Sequence, residues 1–162
     1  MKNKNVDFIV KTAVVAALYA ILTYAFGFMS YGLVQFRVSE ILTLLAFISP
    51  AYIPGLVLGC ILANIISTVG WIDMIVGTAA TFIAVFLISR TKNLLLASIW
   101  PALINGLFIG AMLNYVANIP FMYAAIWVAF GEFAVVTLVG YPVFKYLINR
   151  GSPVLEVIKF KK

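Results

Sequence analysis

The sequence has no histidine, one cysteine and only five acidic residues among its 162 positions. With no imidazole and a single thiol, a transition-metal site has too few ligands, and no metal is expected. Cys60 cannot close an internal disulfide and sits in an apolar run, where cysteine serves as a small buried hydrophobe. Charge is scarce as well: 10% of residues are charged, where a soluble domain carries about 25%. Apolar residues make up 65% of the chain, and the mean hydropathy is +1.14. These values place the chain in a lipid bilayer, and its length allows one membrane-embedded domain (1–162) and no soluble one. The net charge of +6 could suggest nucleic acid, but the charges lie at the ends of apolar segments, so no nucleic-acid partner is expected.

A membrane-crossing helix needs about 20 mostly apolar residues. Breaks at Gly, Pro and polar clusters divide the chain into six apolar segments, at 8–26, 37–48, 54–69, 72–89, 94–115 and 120–149. The expected fold is an all-α integral membrane bundle of six transmembrane helices, with the first retained as a helix rather than cleaved as a signal. The second segment is short for a span. The prolines of Ser49-Pro50-Ala51-Tyr52-Ile53-Pro54 predict a tight turn. The last segment is too long for a perpendicular span and is expected to bend at Gly140-Tyr141-Pro142. Six spans put Lys2, Lys4, Lys11, Arg90, Lys92, Lys145, Arg150, Lys159, Lys161 and Lys162 on one face and leave only Arg37 on the other. By the positive-inside rule both termini are then cytoplasmic.

Between Lys11 and Lys145 the only charged residues are Arg37, Glu40, Asp73, Arg90, Lys92 and Glu132. An ionisable side chain in the bilayer costs roughly 2.5–3.5 kcal/mol on insertion scales, so an intramembrane acid is a functional candidate by default. The expected layout puts Glu40, Asp73 and Glu132 in the outer half, with Arg37. Glu132 shares a helix face with Phe121, Ala125, Val128 and Ala129, whose small members would leave space for a ligand above the carboxylate. Asn105, just past Trp100-Pro101, is expected at a similar depth, and Asn64 lies in the third segment. Either amide could contact ligand or join helices. Gln35-Phe36-Arg37-Val38-Ser39-Glu40 is the densest polar cluster, in which Arg37 and Glu40, three apart, could also pair with each other. The loop before it, with Phe26, Phe28, Tyr31, Gly32 and Phe36, could form a lid. Asp73 could bind ligand or act only as a helix cap; Trp71 could stack on a ligand or anchor at the interface. Thr78 and Thr81 are expected to bond to backbone. Two small-xxx-small pairs, Ala13/Ala17 and Ala16/Ala20, let another helix approach closely.

These residues carry a resemblance. The chain resembles the substrate-binding S-components of energy-coupling factor (ECF) vitamin transporters, in the queuosine-precursor group called QueT. The resemblance rests on Gln35-Phe36-Arg37-Val38-Ser39-Glu40, on Pro54-Gly55-Leu56 through Ala63-Asn64, on Trp71-Ile72-Asp73 followed by Gly77-Thr78, and on Gly131-Glu132. It implies a binding subunit that docks on an ECF transmembrane scaffold subunit, itself driven by two cytoplasmic ATPases. The alanine pairs of the first helix would then be the docking surface. ATP is used by those partners, and this chain has no phosphate-binding loop and no cofactor of its own.

The implied ligand is a 7-deazaguanine, such as preQ1, with an aminomethyl or nitrile substituent. One carboxylate could accept its adjacent N–H donors as a pair, while Asn, Gln or Arg could donate to its carbonyl. A second carboxylate could hold the aminomethyl cation. The site expected on these grounds comprises Glu132, Glu40, Asp73, Asn105, Arg37, Gln35, Asn64 and Trp71. The alternative is a stand-alone secondary transporter for a purine-like or vitamin-like solute, coupled to protons through Glu132. No nucleophile–base pair stands out, so the chain is not read as an enzyme.

Overall fold

The computed structural model describes residues 4–31, 34–67 and 69–150. Expectations placed on Lys2, Gly32, Lys159, Lys161 and Lys162 lie outside these residues. The described chain is helical, without a strand. Helix α1 (Lys4–Ala25) is followed by the short α2 (Gly27–Ser30). A 3-10 helix, Val38–Leu44, runs into α3 (Leu45–Ile48), and a 3-10 turn, Pro50–Tyr52, leads into α4 (Ile53–Asn64). Then come α5 (Trp71–Arg90), α6 (Leu94–Ala117) and α7 (Phe121–Glu132). A π-helix, Phe133–Gly140, continues α7 into α8 (Tyr141–Asn149).

Local chemistry sets these limits. The Ala51 N–H donates to Ser49 Oγ at 3.3 Å and Pro50 begins the new turn, so α3 stops there. Asn93 caps α6 by accepting from the N–H groups of Leu95 and Leu96 at 2.9 and 3.4 Å. Asn118, in the left-handed region at φ 53°, ends α6 before Pro120. Gly70, at φ 77°, makes the turn into α5, a conformation that a side chain would strain.

Residue pairs fix how the helices run. Thr23 with Ser39 and Tyr19 with Glu40 set the 3-10 helix antiparallel to α1. Gly55 beside Thr12 and Gly59 beside Tyr19 set α4 parallel to α1. Cys60 with Thr81 and Asn64 with Asp73 make α5 antiparallel to α4. Asn105 with Glu132 and Ser98 with Thr137 make α7 and the π-helix antiparallel to α6. Ala25, Arg37, Asn64, Trp71, Ala117 and Phe121 therefore gather at one end of the bundle, here the upper end. Lys4, Arg90, Lys92, Lys145 and Arg150 gather toward the lower end.

Four helical stretches are long and apolar enough to cross a membrane: Lys4–Ala25, Trp71–Arg90, Leu94–Ala117 and Phe121–Asn149. Val38–Ile48 and Pro50–Asn64 are shorter apolar helices. The outer surface is itself apolar, with Ile9, Leu18, Ile21, Phe82, Leu103, Ile126 and Leu138 exposed, as a lipid-facing protein requires.

Three local expectations are corrected. The second segment is a seven-residue 3-10 helix joined to four α-helical residues rather than one regular helix. At about 2.0 Å per residue the 3-10 stretch reaches further than an α-helix of equal length. The third segment ends at Asn64, short of 69, because the chain turns there toward Gly70. In the last segment the irregularity is the π-helix Phe133–Gly140, which ends at Gly140 (φ −66°, ψ −46°) and so begins well before the expected Gly140-Tyr141-Pro142. Pro142 has no N–H to give, and the Tyr141 N–H reaches back to the Val136 carbonyl, so the strain is absorbed above the proline.

Two apolar clusters hold the bundle. The lower one joins Val15, Leu44, Leu56, Ile88, Ala97, Val136 and Phe144; the upper one joins Ile109, Met112, Leu113, Ala124 and Val128. Alongside them runs a set of fully buried polar side chains.

Candidate functional site

Gln35, Arg37, Glu40, Asn64, Asp73, Asn105 and Glu132 are all buried. They come from five stretches of the chain. Arg37 precedes the 3-10 helix in an extended conformation, Glu40 lies within that helix, Asn64 ends α4, and Asp73 opens α5. Asn105 is mid-α6, and Glu132 is the last residue of α7. Counted at about 1.5 Å per residue, Glu132 and Asn105 lie at matching depths, roughly 16–18 Å from the upper ends of their helices.

One oxygen of each acid is held by a donor of the chain. Tyr19 donates to Glu40 Oε1, Ser67 to Asp73 Oδ2, and Asn105 Nδ2 to Glu132 Oε1 at 2.9 Å. The other oxygen of each (Glu40 Oε2, Asp73 Oδ1 and Glu132 Oε2) is buried without a hydrogen-bond partner. So are Arg37 Nε and Nη2, Asn64 Oδ1 and Thr78 Oγ1. A buried polar atom left unpaired costs about 1–3 kcal/mol, more when charged, and a bound polar ligand would recover that cost. Arg37, Glu40 and Glu132 are close enough to feel one another's charge, as are Arg37 and Asp73.

Arg37 and Glu40 do not form an ion pair: Glu40 is taken by Tyr19, while Arg37 Cζ stands 5.7 Å from the centre of the Tyr31 ring. The extended backbone of Arg37 (φ −81°, ψ 94°) takes its side chain off the helical face that Glu40 occupies. Burial pushes the Tyr31 hydroxyl up to about 12, so it stays protonated and donates to the Ala63 carbonyl. Asp73 makes no side-chain cap to α5; its carboxylate bonds Ser67 in the connection above. Asn64 donates to the Asp73 backbone carbonyl at 3.3 Å and to Cys60 Sγ at 3.4 Å.

Close packing brings the parts together. A Cβ on Gly131 would lie 2.6 Å from the Gln35 carbonyl oxygen, so only glycine lets the Gln35 backbone pass over α7 beside Glu132. Phe36 then meets Phe130 edge to face at 6.4 Å. The space expected above Glu132 is taken: Ala125 and Ala129 pack against Gly110 and Gly106 of α6, where a Cβ would come within 2.8–2.9 Å. Thr81 sits with its hydroxyl 3.3 Å from Cys60 Sγ, and Thr78 has no partner, so neither makes the expected backbone bond.

Other candidates lie apart. Trp71 is 69% exposed at the start of α5 and does not join the buried cluster. Ala16 and Ala20 are buried, Ala16 against Gly59 of α4, whereas Ala13 and Ala17 face outward. Tyr19 and Ser67 were not singled out in the sequence. A tyrosine in an apolar helix reads as an interface anchor, and a serine in a loop reads as a turn; only the acid opposite reveals either role. No group of three or more metal-binding side chains occurs among the described residues. A groove of about 520 Å³ between α5 and α6, lined by Ile72, Val76, Leu107, Phe108, Met112 and Tyr115, is apolar and shares no residue with the polar cluster. Polar chemistry rather than open volume marks the site.

Comparison with known proteins supplies the class. The family model described as QueT transporter matches residues 9–149. The queuosine precursor transporter QueT of Lactococcus lactis subsp. cremoris (strain MG1363) is 38% identical over 152 residues, covering 82% of this chain and 87% of that protein. No solved structure matches the chain. With its apolar helices and this family match, the chain is a multi-pass membrane protein and belongs to the QueT transporter family.

Proposed function

We propose that the chain is the substrate-binding S-component of an ECF-type, ATP-driven importer, and that it captures a queuosine precursor, a 7-deazaguanine such as preQ1. The observation that carries this reading is the half-satisfied polar cluster, in which three acids each keep one oxygen unpaired around the unpaired nitrogens of Arg37. A site built of buried polar partners rejects analogues that lack the matching groups by large factors. The relative's name supplies the ligand class. Asn105 already donates to Glu132 Oε1, so Oε2 is the oxygen of this carboxylate without a partner in the chain and the first available to a ligand donor.

The upper end faces the exterior and both termini face the cytoplasm, with Val38–Ile48 and Pro50–Asn64 completing six crossings of a bacterial plasma membrane. The gathering of Lys4, Arg90, Lys92, Lys145 and Arg150 toward the lower end supports this orientation. Ala13 and Ala17 offer the exposed small-residue face of α1 to the scaffold subunit, whose two ATPases supply the energy.

Calorimetry on the purified chain tests the capture role. Tight binding of an aminomethyl-7-deazaguanine is expected, with Glu132→Gln weakening it at least tenfold at an unchanged melting temperature. Absence of binding by the wild-type protein sinks the reading. Ala17→Leu should abolish uptake in reconstituted vesicles containing the partner subunits while sparing binding. Uptake by the chain alone under a pH gradient would instead favour proton-coupled transport.

A further inference from the structure

We propose that Tyr31 is a positioning residue of the site: its ring holds the buried Arg37 guanidinium so that one N–H edge stays free for the carbonyl of a ligand lactam. The inference rests on the capture reading and adds the residue through which that carbonyl is selected. Arg37 is 2% exposed, yet among the described residues the ion pair is Lys11 with Asp7, and no acid pairs with the guanidinium. Its charge is met instead by the Tyr31 ring, with Arg37 Cζ 5.7 Å from the ring centre. The Nε and Nη2 atoms, which share one edge of the guanidinium, are buried without a partner.

The chain fixes both members of this contact. The Phe36 N–H donates to the Met29 carbonyl at 3.0 Å, which closes the loop and brings Arg37 back to Tyr31. The Tyr31 hydroxyl donates to the Ala63 carbonyl in the last turn of α4, which anchors the ring and satisfies a helix-end acceptor. A carboxylate partner would take the guanidinium's N–H donors in a two-pronged pair, whereas an aromatic face offsets the charge without accepting them. The buried arginine therefore keeps its fork free. Ala63 is followed by Asn64, whose Oδ1 is unpaired and whose amide donates to the Asp73 backbone carbonyl; Asp73 Oδ1 is unpaired too. The bare donors of Arg37 thus stand in one connected group with bare acceptors. That is the complement of a lactam, which sets a C=O acceptor next to an N–H donor.

The test uses calorimetry on the purified full-length protein, with melting temperature as a check on folding. Its probes are 7-aminomethyl-7-deazaguanine and the 6-thio analogue, which keeps the N–H pattern but replaces the carbonyl oxygen with a weakly accepting sulfur. Wild type should prefer the oxo compound about tenfold. Tyr31→Leu should cut that preference to about twofold by weakening the oxo compound. Arg37→Lys, which keeps the charge and loses the fork, should do the same. Tyr31→Phe keeps the ring and loses the bond to Ala63, and should retain the preference at a lower melting temperature. Equal wild-type affinities for the two probes overturn the inference without any variant. An intact preference in Tyr31→Leu, whether both affinities hold or fall together, leaves Tyr31 a structural role at most and also overturns it. Loss of the preference in Tyr31→Phe would place the effect in the hydroxyl on α4 and overturn the role of the ring. Failure of wild type to bind either probe is a different result, because it removes the capture reading itself and this inference with it.

Discussion

Two antiparallel helix pairs each set an asparagine opposite an acid, but at different depths and by different means. In α6 and α7 both residues lie within long helices, and Asn105 donates straight to the Glu132 carboxylate at 2.9 Å. In α4 and α5 the pair sits at the helix ends. There Asn64 donates to the Asp73 backbone carbonyl, and Ser67 of the connection holds the carboxylate. The deep acid is thus placed by helix packing and the upper one by a loop. Packed helices resist displacement, whereas a connection of a few residues opens at far lower free energy.

Substitutions can break this contrast. The largest effect is expected from Gly110→Leu, which drives a side chain into the Ala125 backbone 2.8 Å away and should destabilise the fold by about 3 kcal/mol. At the upper pair Gly77→Ala meets the Asn64 side chain at 2.8 Å, which can swing aside, so about 1 kcal/mol is expected. Thermal melts that reverse this order would refute the claim that packing places the deep pair. Next, Asn105→Ala should weaken ligand binding about tenfold and Asn64→Ala about threefold, since only Asn105 touches its acid directly (a factor of ten being about 1.4 kcal/mol). Equal losses in calorimetry would erase the distinction. The smallest effect is expected from Ser67→Ala, about a twofold loss that stopped-flow binding should show as faster release rather than slower capture. A slower association with unchanged release would assign Ser67 to entry instead.

The polar cluster was legible in the sequence because charge is so scarce. Arg37, Glu40, Asp73, Asn105 and Glu132 stand out against apolar neighbours, and all are buried. The limits of α5 and α6 were legible to within two residues, since Gly70 and Asn93 mark their starts. Three features were hidden for physical reasons. Helix type was one: nothing in Val38–Leu44 or Phe133–Gly140 distinguishes 3-10 or π geometry from α, because tertiary packing decides it. The helix faces turned toward neighbours were another. Ala125 and Ala129 looked like space for a ligand, yet two glycines on α6, Gly110 and Gly106, take it up. Tyr19 was the third, since a tyrosine among Ala and Leu carries no sign of the acid it holds 21 positions later.

The π-helix bears on how this chain can tolerate changes in length. A π turn accommodates more residues than an α turn, so a stretch such as Phe133–Gly140 holds surplus chain between two regular helices. Loss of one residue there can be absorbed by tightening toward α geometry, keeping Glu132 above and Phe144 below turned to the interior. The same loss within α5 has no slack to draw on and rotates everything beyond it by about 100°, turning its buried face toward lipid. Tolerance for deletion is therefore concentrated directly below the deep carboxylate, in the π-helical stretch Phe133–Gly140.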